Sequence, residues 1–286
     1  MKTIDWEYLA QHMHPREPES DKNTYGRVLA VCGWRDYIGA PFFAAQAAVR
    51  TGSGIVTLAL PSCIYPILAA KLNEPTFVPL ETGADGKISA DCLPSLDRRA
   101  AILAGPGLGI SEGVTQAVKT IIEQAECPLV LDADGINALA GHIDVVEKAK
   151  YPVILTPHSH EFARICDIPS TEHREAMASA FAGKHRCVLL LKGHRTIIAD
   201  PHGALYQNVH GNPGMAKGGS GDVLSGIILS LLGQGLDPLA AAACGAYIHS
   251  RAGDLCANDI GEFGMTPTDM LRYIPRVLKP LNSREW

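Results

Sequence analysis

Short apolar runs alternate with helix-length amphipathic segments along most of the chain. The runs 27–32, 55–60, 100–104, 128–131, 153–155 and 187–191 are rich in Val, Ile, Leu and Ala. Continuous apolar runs of this length predict strands buried on both faces. Between them, 40–51, 63–72, 111–126, 136–149 and two segments within 159–183 predict helices. Strand, helix, strand in repetition predicts βαβ units, hence an α/β fold with a central, mostly parallel sheet and helices on both faces. The runs 196–199 and 204–208 are separated by Asp200-Pro201-His202-Gly203 and predict a hairpin, because Pro and Gly fit its turn. Beyond Asp222 the pattern is helical to the end, over 223–232, 238–254 and 267–281. No linker, repeat or low-complexity tract interrupts it, so a single domain over 1–286 is expected.

Composition narrows the function. With 286 residues, 47% of them hydrophobic and 19% charged, the chain can bury a sizeable core and is not prone to disorder. A net charge of −5 gives no electrostatic reason to bind nucleic acid. The eight cysteines form no C-x-x-C pair, and several lie in strand-like runs. Buried free thiols in a reducing compartment are expected, rather than zinc or disulfides. Residues 1–22 carry charges of both signs and no apolar core, unlike a signal peptide. No run approaches the ~20 apolar residues of a transmembrane helix. A soluble, cytoplasmic protein without membrane contact is expected.

Candidate chemistry gathers where such sheets place it. Ligands of open α/β sheets bind beyond the carboxyl ends of the strands, and the polar, glycine-rich segments 33–41, 105–109, 132–135, 156–161 and 192–196 each follow a predicted strand. Beyond them lies 211–222, with five glycines, Lys217 and a terminal Asp222, followed at once by an apolar helical run. Backbone N–H groups of Gly218, Gly219, Ser220 and Gly221 at a helix start suit an anion. A carboxylate there opposes a bound phosphate unless it takes a proton from a hydroxyl attacking phosphorus. The loop therefore reads as a phosphoryl-transfer site with Asp222 as its base, against the plainer reading of a glycine-rich turn with an aspartate cap. Lys217 either adds charge to the phosphates or is a solvated loop lysine.

The other loops add pieces. Gly105-Pro106-Gly107-Leu108-Gly109 lacks the G-x-G-x-x-G spacing, which excludes a Rossmann dinucleotide site, but it suits close backbone approach to a ligand. In Thr156-Pro157-His158-x-x-Glu161 a histidine and a carboxylate share the first turn of a helix. There Glu161 could hold Mg²⁺ near phosphates or simply complete a cap, and His160 is expected to be exposed and idle. Lys192-Gly193-His194-Arg195-Thr196 ends a strand and opens the hairpin, where Lys192 and Thr196 could contact a nucleotide's phosphate or ribose, against the plainer reading of an idle rim lysine. Asp134 suits a helix cap as well as it suits a ligand. Around Ala40, small residues leave room for a flat ligand.

Taken in order, Tyr37-x-Gly39-Ala40-Pro41 with 44–50, 105–109, Asp132-Ala133-Asp134, Thr156-Pro157-His158-x-x-Glu161, Lys192-Gly193-x-x-Thr196 and 212–226 closely resemble the NAD(P)H-hydrate dehydratase family. That family has the ribokinase-like fold, and the resemblance spans roughly 25–255. Small-molecule kinases of the same fold share the glycine-rich aspartate loop but generally have asparagine where this chain has His158. The Asn212-Pro213-Gly214-Met215 lead-in resembles the bacterial, ADP-dependent branch, and the absence of an N-terminal epimerase domain implies a stand-alone dehydratase. His160 and His194 depart from the smaller residues common in relatives.

The resemblance implies an ADP-dependent lyase that dehydrates the S-form of hydrated NADH or NADPH, releasing AMP and phosphate. It implies Asp222 as catalytic base, with Ala40, Gly107, His158 and Asp222 on the hydrated dinucleotide. Lys192, Gly193, His194, Arg195, Thr196 and 218–221 would hold the nucleotide, with Mg²⁺ offsetting phosphate charge. It further implies a homo-oligomer, tetrameric in many relatives, and a functional link to an NAD(P)H-hydrate epimerase. The nearest alternative is a kinase of this fold acting on a hydroxylated vitamin precursor. A non-catalytic nucleotide sensor is the other, and an intact Asp222 argues against it.

Overall fold

The computed structural model describes residues 1–168 and 173–282. Among them, ten strands form one sheet: β1 (Lys2–Thr3), β2 (Arg27–Val31), β3 (Ile55–Pro61), β4 (Thr76–Leu80), β5 (Ala101–Ala104), β6 (Leu129–Leu131), β7 (Val153–Leu155), β8 (Val188–Leu191), β9 (Thr196–Ala199) and β10 (Leu205–Asn208). Their order is β1-β10-β9-β8-β7-β6-β5-β2-β3-β4. Pairing is parallel except for β9, which runs antiparallel to both β8 and β10. The predicted α/β architecture and the 196–208 hairpin are both present.

Period-2 alternation explains why the strands read as unbroken apolar runs. Along β2, Val28, Ala30 and Cys32 enter one core cluster, while Leu29 and Val31 enter the other. The first cluster packs under α1 (Trp6–His12), α2 (Gly39–Thr51), α8 (Ser220–Gly233), α9 (Pro238–Ile260) and α10 (Pro267–Leu278). The second packs under α4 (Glu112–Gln124), α5 (Asp134–Asn137), α6 (Ser159–Ile165) and α7 (Arg174–His185). Helices on both faces leave neither side of the central strands polar. Among the described residues no helix is long and apolar enough to cross a membrane.

Several boundaries differ from the sequence expectation. The helix expected over 136–149 is two short pieces, α5 and a 3₁₀ turn at Ile143–Lys148. Gly141 lies between them with φ +74°, a left-handed conformation that ends a helix. The segment 63–72 is likewise shorter, a 3₁₀ turn (Ser62–Ile64) running into α3 (Tyr65–Ala69). Helix α9 continues six residues past the expected end at 254, reaching Ile260. Three elements lay outside the apolar pattern: β1, α1 and the edge strand β4. The sequence of β4, Thr-Phe-Val-Pro-Leu, is half exposed, and an edge position tolerates its Pro79.

One boundary bears on chemistry. Helix α8 begins at Ser220, not Val223, so Asp222 sits in its first turn.

Candidate active site

Asp222 stands at the N-terminus of a helix whose remaining length is almost entirely buried. Burial pushes its carboxyl up to about 7 from 3.8, and neighbouring Asp132 adds to the rise, while Lys192 opposes it. Asp134 and Glu161 push in the same direction as Asp132. Such a group can hold or give up a proton near neutral pH, as a general base requires.

The neighbours of Asp222 come from three consecutive loops of the sheet. Asp132, just beyond β6, is 1% exposed. It takes the Lys192 ammonium at 2.8 Å. Glu161 lies 3.7 Å from the same ammonium. Burial alone would lower the Lys192 pKa, but the surrounding Asp132, Glu161 and Asp222 charges outweigh it and raise it. A β-carbon on Gly221 would lie 3.4 Å from the Lys192 Nζ. The lysine therefore abuts the backbone of the first turn of α8, where helix N–H groups lack intrahelical partners. A cation, a helix start and a proton-accepting carboxylate converge there, an arrangement suited to phosphoryl transfer.

Ala133 has φ +51°, an uncommon and strained setting for a residue with a side chain. It aims Asp132 at Lys192 and leaves Asp134 to accept the Gly109 N–H at 2.8 Å and the Asn137 amide at 3.2 Å. Asp134 thus braces the loop after β5; it neither caps a helix from outside nor faces open space. Within that loop Gly107 has φ +65°, and a β-carbon on it would meet Tyr37 Cβ at 2.8 Å and Ala40 Cβ at 3.0 Å. Ala40 and Gly107, singled out separately in the sequence, are in contact. A β-carbon on Gly219 would strike the Phe43 ring at 2.5 Å, so α2 also fixes the loop before Asp222.

His158 is the N-cap of α6. Its Nδ1 accepts the N–H groups of His160 and Glu161, and Glu161 accepts the His158 N–H at 2.8 Å, a reciprocal capping box. Because Nδ1 accepts, the neutral ring carries its proton on Nε2, which lies 3.3 Å from the other Glu161 oxygen. The cap and a place beside the site are not exclusive: His158 also lines the large cavity described next.

A cavity of about 710 Å³ opens beside Lys192. Lys192, Gly193, His194, Thr196, Ser220 and Gly221 line it on one side, the 208–217 segment and α9 on the other. Arg195 is exposed, and Gly218, with nothing near a β-carbon, borders open space. Arg195, Gly218, Gly219, Glu161 and Asp222 do not line this cavity. Lys217, although on its wall, donates through its ammonium to the Phe263 carbonyl at 2.7 Å and to the Met265 carbonyl. It pins the α9–α10 connection, a role that neither of the two readings left open for it included.

Three participants escaped the sequence reading. His249 on α9 lines the cavity, and its Nε2 donates to the Ser220 carbonyl at 2.9 Å. Burial lowers its pKa to about 4, so it stays neutral. Ser250, also on the wall, donates to Asn208 at 3.3 Å. Arg174 on α7 donates to the Lys192 carbonyl at 3.3 Å, and its guanidinium fills the space beside Gly193. His249 and Ser250 sit inside a small-residue helix that reads as core, and no local motif marks them.

Against known proteins, residues 28–276 match the family described as NAD(P)H-hydrate dehydratase. The ADP-dependent (S)-NAD(P)H-hydrate dehydratase of Bacillus subtilis is 35% identical over 96% of each chain. A crystal structure of the ADP/ATP-dependent NAD(P)H-hydrate dehydratase from that organism, co-crystallised with ATP/Mg²⁺, superposes with a TM-score of 0.85 at 33% identity, covering 98% of this chain and 99% of that one. The bifunctional NAD(P)H-hydrate repair enzyme of Moorella thermoacetica is 44% identical over 94% of this chain but only 52% of its own length. The chain therefore spans about half the length of such bifunctional relatives. With a family match over most of its length and a full-length relative above 30% identity, the chain belongs to the NAD(P)H-hydrate dehydratase family, on the ribokinase-like fold.

Proposed function

We propose that residues 1–286 act as a single catalytic unit, an ADP-dependent lyase that dehydrates the S-form of hydrated NADH or NADPH. The observation that carries this reading is Asp222, poised to titrate near neutral pH in the first turn of α8 beside Lys192. Hydroxide is a poor leaving group, so the ring hydroxyl must first become a phosphate ester. Asp222 accepts the hydroxyl proton as the oxygen bonds to the terminal phosphorus of ADP. The bond from that phosphorus to the bridging oxygen breaks and AMP departs. First-turn N–H groups of α8 and the Lys192 ammonium face the charge on the migrating phosphoryl. The ring nitrogen lone pair then expels phosphate, and loss of a proton from the adjacent carbon restores NAD(P)H.

Lys192, Gly193, His194, Thr196, Ser220 and Gly221 would hold the nucleotide from the cavity wall, with Arg195, Gly218 and Gly219 at its edge. Ala40, Gly107 and His158 would meet the hydrated ring. The buried carboxylates of Asp132 and Glu161 are the hard oxygen donors that fit Mg²⁺ here. Among the described residues no three His, Cys, Asp or Glu side chains form a protein-only metal shell. Glu161, with Asp132 beside it, would hold the ion near the phosphates. Mg²⁺ would offset phosphate charge. By the same reading the enzyme works in the cytoplasm as a homo-oligomer, tetrameric as in many relatives, alongside an NAD(P)H-hydrate epimerase that supplies the S-form.

Asp222→Asn tests the reading. Turnover of hydrated NADH with ADP, followed at the NADH absorbance band, should fall by roughly 10²–10⁴-fold, the span of a general base. ADP affinity by calorimetry should stay near the wild-type value. A variant keeping most of its kcat removes Asp222 as the base.

A further inference from the structure

An aromatic patch on the sheet's rim has no part in the chemistry above. Tyr37 is 53% exposed and Ile110 69%, and they stand on the loops after β2 and β5 that meet at Gly107. Behind Tyr37, the Trp34 ring is tilted against it at 5.8 Å between centroids. The Trp34 indole N–H donates to the Asp85 carbonyl at 3.3 Å, and the Lys87 ammonium lies 4.3 Å from its ring centre. Lys87 in turn pairs with Asp85 at 3.5 Å, and Arg35 stands 5.4 Å from the same ring. Trp34 is thus held from several sides while the phenol ring in front of it stays open to solvent. A fixed, solvent-facing aromatic beside a ligand site suits the face of a flat base.

Sheet order says which base. Along β8-β7-β6-β5-β2, neighbouring strands are about 4.8 Å apart. The nucleotide cavity lies beyond β8 and β10, Asp222 stands beside residues that follow β6 and β8, and the aromatic patch follows β2 and β5. A donor nucleotide in the cavity leaves the substrate to extend the other way. That substrate is a dinucleotide: its hydrated ring meets Asp222, and a second nucleoside follows across a diphosphate bridge. The geometry points to Tyr37, backed by Trp34, as the stacking platform for the distal purine of the hydrated dinucleotide. Arg35 and Lys87 flank Trp34, and each is paired with a carboxylate, Asp36 and Asp85 respectively, at 3.5 Å.

This subsite rests on the function proposed above and sets specificity, not chemistry. Binding made equally in ground and transition states changes KM and leaves kcat alone. Wild type, Tyr37→Phe and Tyr37→Ser are compared at saturating ADP on hydrated NADH and on hydrated reduced nicotinamide mononucleotide, which lacks the distal half. Tyr37→Ser should raise KM for hydrated NADH roughly ten-fold or more, with kcat and the KM for ADP unchanged. Tyr37→Phe keeps the ring and should stay near wild type, and KM for the mononucleotide should be the same in all three. An active wild type whose KM for hydrated NADH is matched by Tyr37→Ser overturns the subsite alone. A rise shared by the mononucleotide also overturns it, because the loop itself has then shifted. So does an unchanged KM accompanied by a change in sedimenting mass, which assigns the patch to a second copy of the chain. A wild type inactive on both substrates removes the proposed function and the subsite with it.

Discussion

At the scale of single residues, the raised pKa of Asp222 carries a cost in stability. Its folded carboxyl titrates at about 7 against an ordinary 3.8, chiefly because it is buried. The folded chain therefore binds that proton more tightly than the unfolded chain. The stabilisation is complete below the unfolded value and is lost as pH rises through 7. Asp222→Asn, a neutral replacement, escapes this loss. In urea titrations it should match wild type near pH 4 and exceed it by on the order of a few kcal/mol at pH 8. A gap that stayed flat between the two would mean the carboxylate is not held out of water. Asp132 is the second contributor to the rise, and it also occupies Lys192. In Asp132→Asn a repelling charge disappears and the lysine is freer to favour ionised Asp222. Both effects lower the base's pKa. The acid limb of the kcat/KM profile, where activity falls as the base is protonated, should therefore move to lower pH. A limb that stayed put or moved up would sever the link between the two aspartates.

At the scale of elements, the site depends on how closely α8 approaches α2. A β-carbon on Gly226 would lie 2.2 Å from the Ala44 carbonyl oxygen and 2.9 Å from Ala47 Cβ. Backbone cannot yield as a flexible side chain does, so Gly226→Ala must push the helices apart, at a cost of about 1–3 kcal/mol. Asp222 is one turn upstream, so kcat should fall together with the urea midpoint. Gly218→Ala is the control: nothing lies within 4 Å of its β-carbon, and the midpoint should not move. This contact was legible only as composition. The apolar run after Asp222 predicts a buried helix, but no pattern names α2 as its partner. Where local chemistry decides, the sequence was more informative, as in the Pro-Gly turn between β9 and β10. Where a single residue breaks a pattern it was less so: Gly141 divides what periodicity joins between 136 and 149. Helix α8 also starts three residues before its apolar run, because a glycine-rich segment carries no periodicity from which to read a first turn.

At the scale of the whole molecule, Asp222, Lys192, Asp132 and Glu161 meet only because parallel strands deliver successive loops to one rim. Each loop could be recognised from its own glycines and acids, whereas the ion pair between Lys192 and Asp132, sixty positions apart, exists only in the fold. His249 is further still from recognition, since a histidine in a buried helix carries no label of its neighbours. The cysteines offer a global readout of this assembly. Cys32, Cys127, Cys187, Cys244 and Cys256 are buried in it, while Cys63 is exposed. Burial holds the Cys187 and Cys244 thiols up at about 12, away from the reactive thiolate. Cys63 should therefore react with a disulfide reagent at once, and the five buried thiols only as the chain opens. On the function proposed above ADP would bind the folded state, so at a hundred times its Kd it would add about 2.7 kcal/mol and cut the unfolded population ~100-fold. Labelling of the buried five, followed by mass spectrometry, should slow by about that factor while Cys63 is unaffected. A buried thiol whose rate ignores ADP would mark a part of the sheet that opens without releasing the nucleotide, and the cavity could not then depend on that strand or helix.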